Sequence, residues 1–457
     1  MSSEFDNSDD QALSEDSEDS QNSDSNTEDS EKDDNRATLL EKMAADDAVI
    51  IMDEVRFPQE FLLRLCEIMR NNRELNELNI EDCSLTSDTA RQLISAFPPS
   101  LTSLRLCDDD VEDGAYTIFG IHFPAHLIKL SLSGKKIRGE EIIALFQLRP
   151  ANLIELSIDK SSGKDVVAGL AEILPHTNLE SLRFDSSDLD DGDIRQLATS
   201  LPHSLEELIL QNNLIGPAGA QMLANVLNDS IITHLDLNSN DAKDAGALAL
   251  ITSFPPNLTT LDLSCNGIGD ISAQALAKLS PLHLSQLFLQ DNSIGDVGAQ
   301  ALAESQLAFH LSEMSLAGNP IGHVGVNALA AFIMKSTRLE LFYLYPCVEF
   351  GQRKLAKAIL LSRAPLHHFN FGILYHGRLL ANLLAECVIA DACAVRCRLS
   401  KDPLLLDNST AQLLPVIDTF FEYEELVRRV FNANSKIVID EIVKVVCLYL
   451  WAVDDIL

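Results

Sequence analysis

The chain has 457 residues, with 69 Asp and Glu against 34 Lys and Arg, so its formal net charge is -35. A surface this acidic argues against nucleic acid and anionic membranes as partners, since binding to both needs Lys and Arg. It favours either solubility or a basic protein partner. The nine Cys are scattered singly and the first residues lack the basic and apolar regions of a secretion signal, which predicts a cytoplasmic protein.

Residues 1–36 form an acidic arm, with 14 acidic residues, 2 basic residues and few apolar ones. Such a segment cannot offset the entropy cost of ordering by burying apolar surface, so we expect it to be disordered. A solubilising tail is the simpler role. A regulated tail is the alternative, because Ser25 and Ser30 each precede an acid by three residues, a spacing suited to an acid-directed kinase.

Residues 37–74 are predicted to be a helical N-terminal cap. After Pro58, residues Phe61, Leu62 and Leu65 follow helical spacing. A repeat array such as the one that follows needs a cover over its first apolar layer, and this segment is placed to provide it.

A repeat of 26 to 28 residues occupies positions 75–372. Each copy opens with Leu-x-x-Leu-x-Leu or a close variant and ends in a half whose apolar residues follow helical spacing. The alternation predicts a short strand with one apolar face, on which the helical half can pack. Because each crossover is too long for a hairpin, the strands are expected to be parallel. The copies begin at Leu75, Leu101, Leu127, Leu153, Leu179, Leu205, Ile232, Leu258, Leu284, Leu311, Leu339 and Leu366.

An Asn follows the strand in five copies, and its amide is predicted to satisfy backbone groups where strand pairing stops. These residues are Asn213, Asn240, Asn266, Asn292 and Asn319. The pattern LxxLxLxxN with a GxxGAxxLAxxL half resembles the leucine-rich-repeat proteins of the ribonuclease-inhibitor type. The resemblance implies an α/β horseshoe solenoid with parallel strands on its concave face and helices on its convex face. Asp109 and Lys135 replace the Asn in earlier copies, so looser bends are expected over 101–204.

Proline marks several junctions between copies, as in FPPSLT at 97–102 and FPPNLT at 254–259. Proline there stops the helix and favours an extended entry to the next strand. These junctions also resemble the leucine-rich-repeat effectors that intracellular bacterial pathogens secrete, which would place the chain in the host cytoplasm.

Residues 373–457 leave the repeat pattern and are predicted to form three helices. A helical C-terminal cap is the simpler interpretation, and a small module with its own partner is the alternative. The apolar run at 445–453 is too short to cross a bilayer, so no membrane span is predicted.

Sites for chemistry are poorly supported. The Gly163-Lys164 pair lacks the earlier glycine of a phosphate-binding loop. Cys393, Cys397 and His376 lack the paired spacing of a structural zinc site. We therefore predict no catalytic residues, no metal, no cofactor and no small-molecule substrate.

The predicted concave face carries the candidate binding site. Its aromatic residues lie on an otherwise polar face and are candidate anchors for a protein partner, and its acids can steer a basic one. The candidate residues are Asp236, Asp262, Phe288, Tyr343, Tyr345 and His368. The alternative is that the C-terminal helices cover the aromatic residues. The predicted function is a non-enzymatic protein-interaction scaffold.

A GTPase regulator is the competing function, because the Ran GTPase activators resemble this fold and also carry an acidic tail. Their tail follows the repeats, whereas the acidic arm here precedes them. Arg105 and Arg183 fall on the predicted concave face and are the candidates for an arginine acting on the nucleotide.

Overall fold

The computed structural model describes residues 36–344 except 43–44, 46, 84, 108–117, 119–123, 125, 135–136, 148–151, 162 and 280–282, together with 355, 358 and 368–370. The acidic arm up to residue 35 and the C-terminal segment 373–457 lie outside these residues, as do Tyr345, Cys393 and Cys397.

The described residues form one parallel sheet of thirteen strands whose order in space follows their order in the chain. The strands are β1 Val49–Asp53, β2 Glu77–Glu81, β3 Ser103–Cys107, β4 Lys129–Ser133, β5 Glu155–Asp159, β6 Ser181–Asp185, β7 Glu207–Ile209, β8 His234–Asp236, β9 Thr260–Asp262, β10 Gln286–Phe288, β11 Glu313–Ser315, β12 Leu341–Tyr343 and β13 His368–Asn370. Strands β2 to β13 each begin two residues after a predicted repeat start, which confirms the phase of the repeat and the parallel pairing.

Helices follow most of the strands. They are α1 Gln59–Asn71, α2 Ser87–Ile94, α3 Gly139–Gln147, α4 Gly163–Ala171, α5 Asp191–Ala198, α6 Pro217–Leu227, α7 Lys243–Thr252, α8 Asp270–Leu279, α9 Asp296–Glu304 and α10 His323–Lys335, with 3-10 turns at Leu174–His176 and Gln306–Phe309. In the copy that starts at Leu205, both Leu208 and Leu210 are buried together with Leu223 of α6. The core therefore lies between the strands and the helices, and the architecture is the predicted leucine-rich-repeat horseshoe.

The predicted helical cap over 37–74 needs one correction, because it contains strand β1. Residues 36–42 and α1 are helical as expected. Between them, Ile50 and Met52 are buried while Val49 and Ile51 are exposed, which is the two-residue period of a strand. This apolar run is too short for a stable helix, and the β2 backbone beside it offers hydrogen-bond partners.

The Asn that follows the strand in five copies holds the ends of those strands in a similar geometry. Asn266 is fully buried, and its Nδ2 donates to the backbone oxygens of Leu237 (2.7 Å) and Ser264 (2.9 Å). Its Oδ1 accepts from the backbone N–H of Ala242 at 3.1 Å. The amide thus joins its own repeat to the preceding one, as the sequence predicts. Equivalent bonds are made by Asn213, Asn240, Asn292 and Asn319.

Smaller residues take the place of Asn in earlier copies without interrupting the sheet. The Sγ of Cys83 lies 3.0 Å from the backbone oxygen of Glu81. The Oγ of Ser187 lies 3.1 Å from that of Asp185. Strands β3 to β6 continue in register across 101–204, where looser bends were expected. Asp109 and Lys135 themselves lie outside the described residues.

A second set of contacts between repeats joins the helix N-termini. The Oδ1 of Asp270, in the first turn of α8, accepts from the backbone N–H groups of Gly295 and Gly298 at 2.8 Å each. The carboxylate therefore caps the next helix, where free N–H groups favour negative charge. A Cβ on Gly298 would lie 2.6 Å from that oxygen, so glycine is required by close approach. The same contact is made by Asp191, Asp244 and Asp296.

Candidate partner-binding face

The strand register brings four of the predicted site residues into one row. Asp236, Asp262 and Phe288 are Cα partners on the neighbouring strands β8, β9 and β10. Ser315 on β11 continues the row to Tyr343 on β12. Neighbouring strands lie about 4.8 Å apart, so the row is a continuous ridge of side chains across five strands. Asp236, Asp262, Phe288 and Tyr343 are all half-buried.

The last two predicted residues are less closely tied to this row. His368 is the first residue of β13 and is the Cα partner of Leu341, one position before the row. Tyr345 lies outside the described residues.

The two carboxylates of the row occupy a poorly solvated environment. Burial, together with the negative charge of Asp262, raises the pKa of Asp236 to about 6, although the backbone N–H of Asn238 donates to it at 2.8 Å. Burial also raises the pKa of Asp262, against a 2.8 Å bond from the backbone N–H of Ser264. Both shifts mean that the ionised forms lack full solvation here, so an approaching cation would stabilise them.

A groove of about 510 Å³ occupies the concave face over β2 to β7 and was not identified as a site from the sequence. Its floor contains the small residues Ser131 and Ser157, and its cations include Arg105, Lys129 and Arg183. The small side chains create the space, because larger ones project from the strands on either side. A run of Ser at the outward strand positions was the signal available in the sequence.

The cations of this groove have acidic neighbours. Arg105 Nε lies 3.6 Å from Glu81, Lys129 Nζ lies 2.7 Å from Glu155 and the guanidinium of Arg183 lies 4.0 Å from Asp185. These pairs are partly exposed and are each worth little in stability, but they neutralise the cations locally.

The acids of the groove differ in their titration. Burial raises the pKa of Asp159, while the Ser157 hydroxyl donates to it and opposes the shift. Burial acts in the same direction on Asp185, but donors from Asn212, Ser186 and Gln211 outweigh it and lower the pKa of that carboxyl. Asp185 is therefore held as a hydrogen-bonded anion.

The described part of the chain contains neither a metal-binding cluster nor a membrane-spanning helix. The described residues contain no cluster of three or more His, Cys, Asp and Glu placed to hold a metal ion. Within the same part of the chain, no helix combines the length and apolar character needed to cross a membrane.

Comparisons with known proteins support the repeat assignment. A family model described as "Leucine Rich repeat" matches residues 202–224, 254–277 and 281–303. Protein NLRC5 of Ictalurus punctatus is 28% identical over 188 residues, covering 38% of this chain and 11% of that protein. The ribonuclease inhibitor of Sus scrofa is 29% identical over 181 residues, covering 36% of this chain and 39% of that protein. The chain thus spans well under half the length of either relative.

Among solved structures, the complex of Rad7 and Elc1 from yeast contains a similar chain. The TM-score is 0.47 at 14% identity, with 71% of this chain and 91% of that chain covered. The repeat phase, the Asn contacts, the thirteen-stranded parallel sheet and the sequence matches together show leucine-rich repeats, and these repeats are similar to those of the ribonuclease-inhibitor type.

Proposed function

We propose that the chain is a non-enzymatic scaffold that binds a basic segment of a protein partner along the row Asp236, Asp262, Phe288 and Tyr343. The observation that supports this proposal is the strand register, in which two poorly solvated carboxylates on β8 and β9 share a row with two half-buried aromatic residues on β10 and β12. Interfaces take most of their binding energy from a few such anchors.

The aromatic part of the row offers two partly exposed rings. Phe288 and Tyr343 lie two strands apart, which is about 10 Å between their backbones. Ser315 between them is covered, and its hydroxyl donates to Gln290 Oε1 at 3.3 Å. An Arg of the partner would gain from stacking on the exposed face of either ring.

The carboxylates supply the charge preference. An incoming Lys or Arg would relieve the unfavourable desolvation of Asp236 and Asp262, whose pKa values are raised by burial. The nearest concave cation in the preceding strands, Arg183, already lies beside Asp185. The charges of this half of the face therefore attract rather than repel a basic partner.

The test compares a site variant with a matched control. Asp262→Ala/Tyr343→Ala removes one carboxylate and one ring from the row, and Asp229→Ala/Phe309→Ala removes the same chemistry from exposed positions outside it. Proteins captured from source cells are quantified, and each candidate is then purified and titrated. We expect a partner whose affinity falls at least tenfold for the site variant and stays unchanged for the control. Equal affinity for both variants would remove the proposal.

A GTPase-activating role is the second candidate, supported by the position of Arg105 and Arg183 on the concave face. Each would have to leave its acidic neighbour to reach a nucleotide. GTP hydrolysis by candidate small GTPases, measured with the wild type and with Arg183→Ala, tests this role. Stimulation that is lost in the variant would favour the enzyme regulator over the scaffold.

Cytoplasmic location, with the host cytoplasm for a secreted effector, stays a proposal that rests on the scattered Cys and on the Pro-containing junctions. Fractionation of cells that express the native gene, and of infected host cells if the source is a pathogen, would test it.

A further inference from the structure

Strand β1 ends the sheet with an open edge. Among the described residues it pairs with β2 alone, and the sheet order begins with it. An unpaired edge presents backbone N–H and C=O groups that can pair with another extended chain. The edge is therefore a candidate surface, far from the partner row on β8 to β12.

The backbone groups on this edge can be assigned from the ladder. The carbonyl of Ala48 accepts from Asn76 N–H at 2.9 Å, so the even-numbered residues of β1 direct their backbone groups to β2. Ser103 of β3 occupies the position in its repeat that Val49 occupies in β1. Its N–H donates to the backbone oxygen of Asn76 in the preceding repeat at 2.9 Å, so residues at this position direct their backbone groups towards the preceding strand. Since N–H and C=O of one residue point the same way in a parallel strand, Val49 and Ile51 direct theirs to the open side.

The side chains of the same residues are apolar and exposed. Val49 is 49% exposed and Ile51 is 60% exposed, on the concave side of the sheet. Neither has a hydrogen bond from its edge-facing backbone to any described residue. β1 therefore combines free backbone groups with uncovered β-branched side chains, the two features that strand addition uses for affinity and for specificity.

The charge beside this edge selects the occupant. Asp53 is exposed and is the Cα partner of Glu81. Arg105 lies 3.6 Å from Glu81, whereas Asp53 has no ion-pair partner in the described part of the chain. A second copy of this chain would bring its own Asp53 and a formal net charge of -35, so repulsion between like charges opposes the pairing of two copies.

We infer that the open edge of β1 binds an extended peptide segment of a protein partner, with apolar side chains opposite Val49 and Ile51 and a Lys or Arg opposite Asp53. The peptide adds a fourteenth strand to the sheet. Its backbone pairs with the edge-facing groups of Val49 and Ile51, and its apolar side chains cover theirs on the concave side.

The key variant is Ile51→Pro. Proline removes the edge-facing N–H and leaves the pairing of β1 with β2 intact, which is the position where an edge strand tolerates proline. Ile51→Lys keeps the backbone donor and places a charge on the edge, as natural edge strands do to block pairing. Ile271→Lys is the matched control, since Ile271 is also 60% exposed but lies on helix α8.

The probe is a library of random twelve-residue peptides selected on the full-length protein. We expect enriched peptides with apolar residues at alternate positions and Lys or Arg two positions further on. Their affinity should fall at least tenfold for Ile51→Pro and for Ile51→Lys and stay unchanged for Ile271→Lys. Asp53→Lys should exchange the basic preference for Asp or Glu. Circular dichroism and thermal melting establish that each variant is folded, and Ile51→Lys decides alone if the proline variant is not.

Three results would overturn the inference. The first is enrichment of peptides that lack the alternating pattern, and the second is equal binding to Ile51→Lys and wild type. The third is concentration-dependent self-association of the wild type that Ile51→Lys abolishes, since the occupant would then be a second copy. Because the edge lies seven strands from Asp236, Asp262→Ala/Tyr343→Ala should leave peptide binding unchanged. A negative result for the β1 edge therefore does not count against the partner row on β8 to β12, and the reverse also holds.

Discussion

Replacing Asn266 by Ala should strongly destabilise the repeat array. The amide of Asn266 makes two bonds to the carbonyls of Leu237 and Ser264 and accepts one from the N–H of Ala242, in a site with 0% exposure. Each such bond contributes about 1 kcal/mol net, and alanine removes all three. The buried N–H of Ala242 loses its acceptor, whereas the oxygens of Leu237 and Ser264 keep bonds from Asn240 Nδ2 and from the Ser239 N–H. The expected loss in the free energy of unfolding is therefore about 3 kcal/mol.

Urea unfolding followed by circular dichroism measures this loss, with Asn327→Ala as the matched control. Asn327 lies exposed on helix α10, so its replacement should change the free energy by less than about 0.5 kcal/mol. Hydrogen exchange should also locate the new opening at the ends of β8 and β9, next to the broken bonds. A loss below about 1 kcal/mol for Asn266→Ala, or one equal to that of the control, would refute the claim that the amide holds adjacent repeats together.

Three further predictions concern the helix ends and the carboxylate row. Gly298→Ala should lower the free energy of unfolding in urea by about 1–3 kcal/mol, because its Cβ would lie 2.6 Å from Asp270 Oδ1. Gly295→Ala is the control, since its nearest contact would lie at 3.4 Å, and it should cost less than half as much. Asp270→Ala should cost about 1–3 kcal/mol by leaving both glycine N–H groups without their acceptor, and wild-type stability in that variant would contradict the capping role. Asp236→Asn should raise the free energy of unfolding by about 1–3 kcal/mol at pH 7–8. The pKa of Asp236 in the folded protein, about 6, lies above the ordinary value near 3.9, so ionisation of this carboxyl disfavours the folded state. That gain should shrink as the pH falls through 6 and vanish below about 4, and a gain independent of pH would show that ionisation is not its cause.

Much of the site could be predicted because its placement follows from the repeat phase. Once Leu258 and Leu284 are recognised as equivalent, the outward positions Asp262 and Phe288 must fall in one row, since parallel strands of equal phase pair in register. The environment of those residues could not be predicted in the same way. The pKa of Asp236 depends on how deeply neighbouring strands bury it, and that depth is set by stacking.

The N-terminal cap shows where local patterns fail. Residues 49–52 are too few for their apolar spacing to distinguish a strand from a helix. They form a strand because they pair with the backbone of β2, which would otherwise have an unpaired edge. The groove over β2 to β7 was missed for a different reason. The repeat phase places Ser131 beside Ser157, but the volume above them depends on how the side chains of all six strands pack.

The repeat of 26 to 28 residues by itself determined the strands, their parallel order and the role of Asn at five of the bends, because the same local pattern recurs in each copy. Only the tertiary structure decided which groups meet between copies. Asp270 and Gly298 are 28 residues apart and touch because stacking sets one helix N-terminus beside the next. The open edge of β1 likewise exists only because the stack has an end, and there the free backbone groups of Val49 and Ile51 meet no neighbour among the described residues.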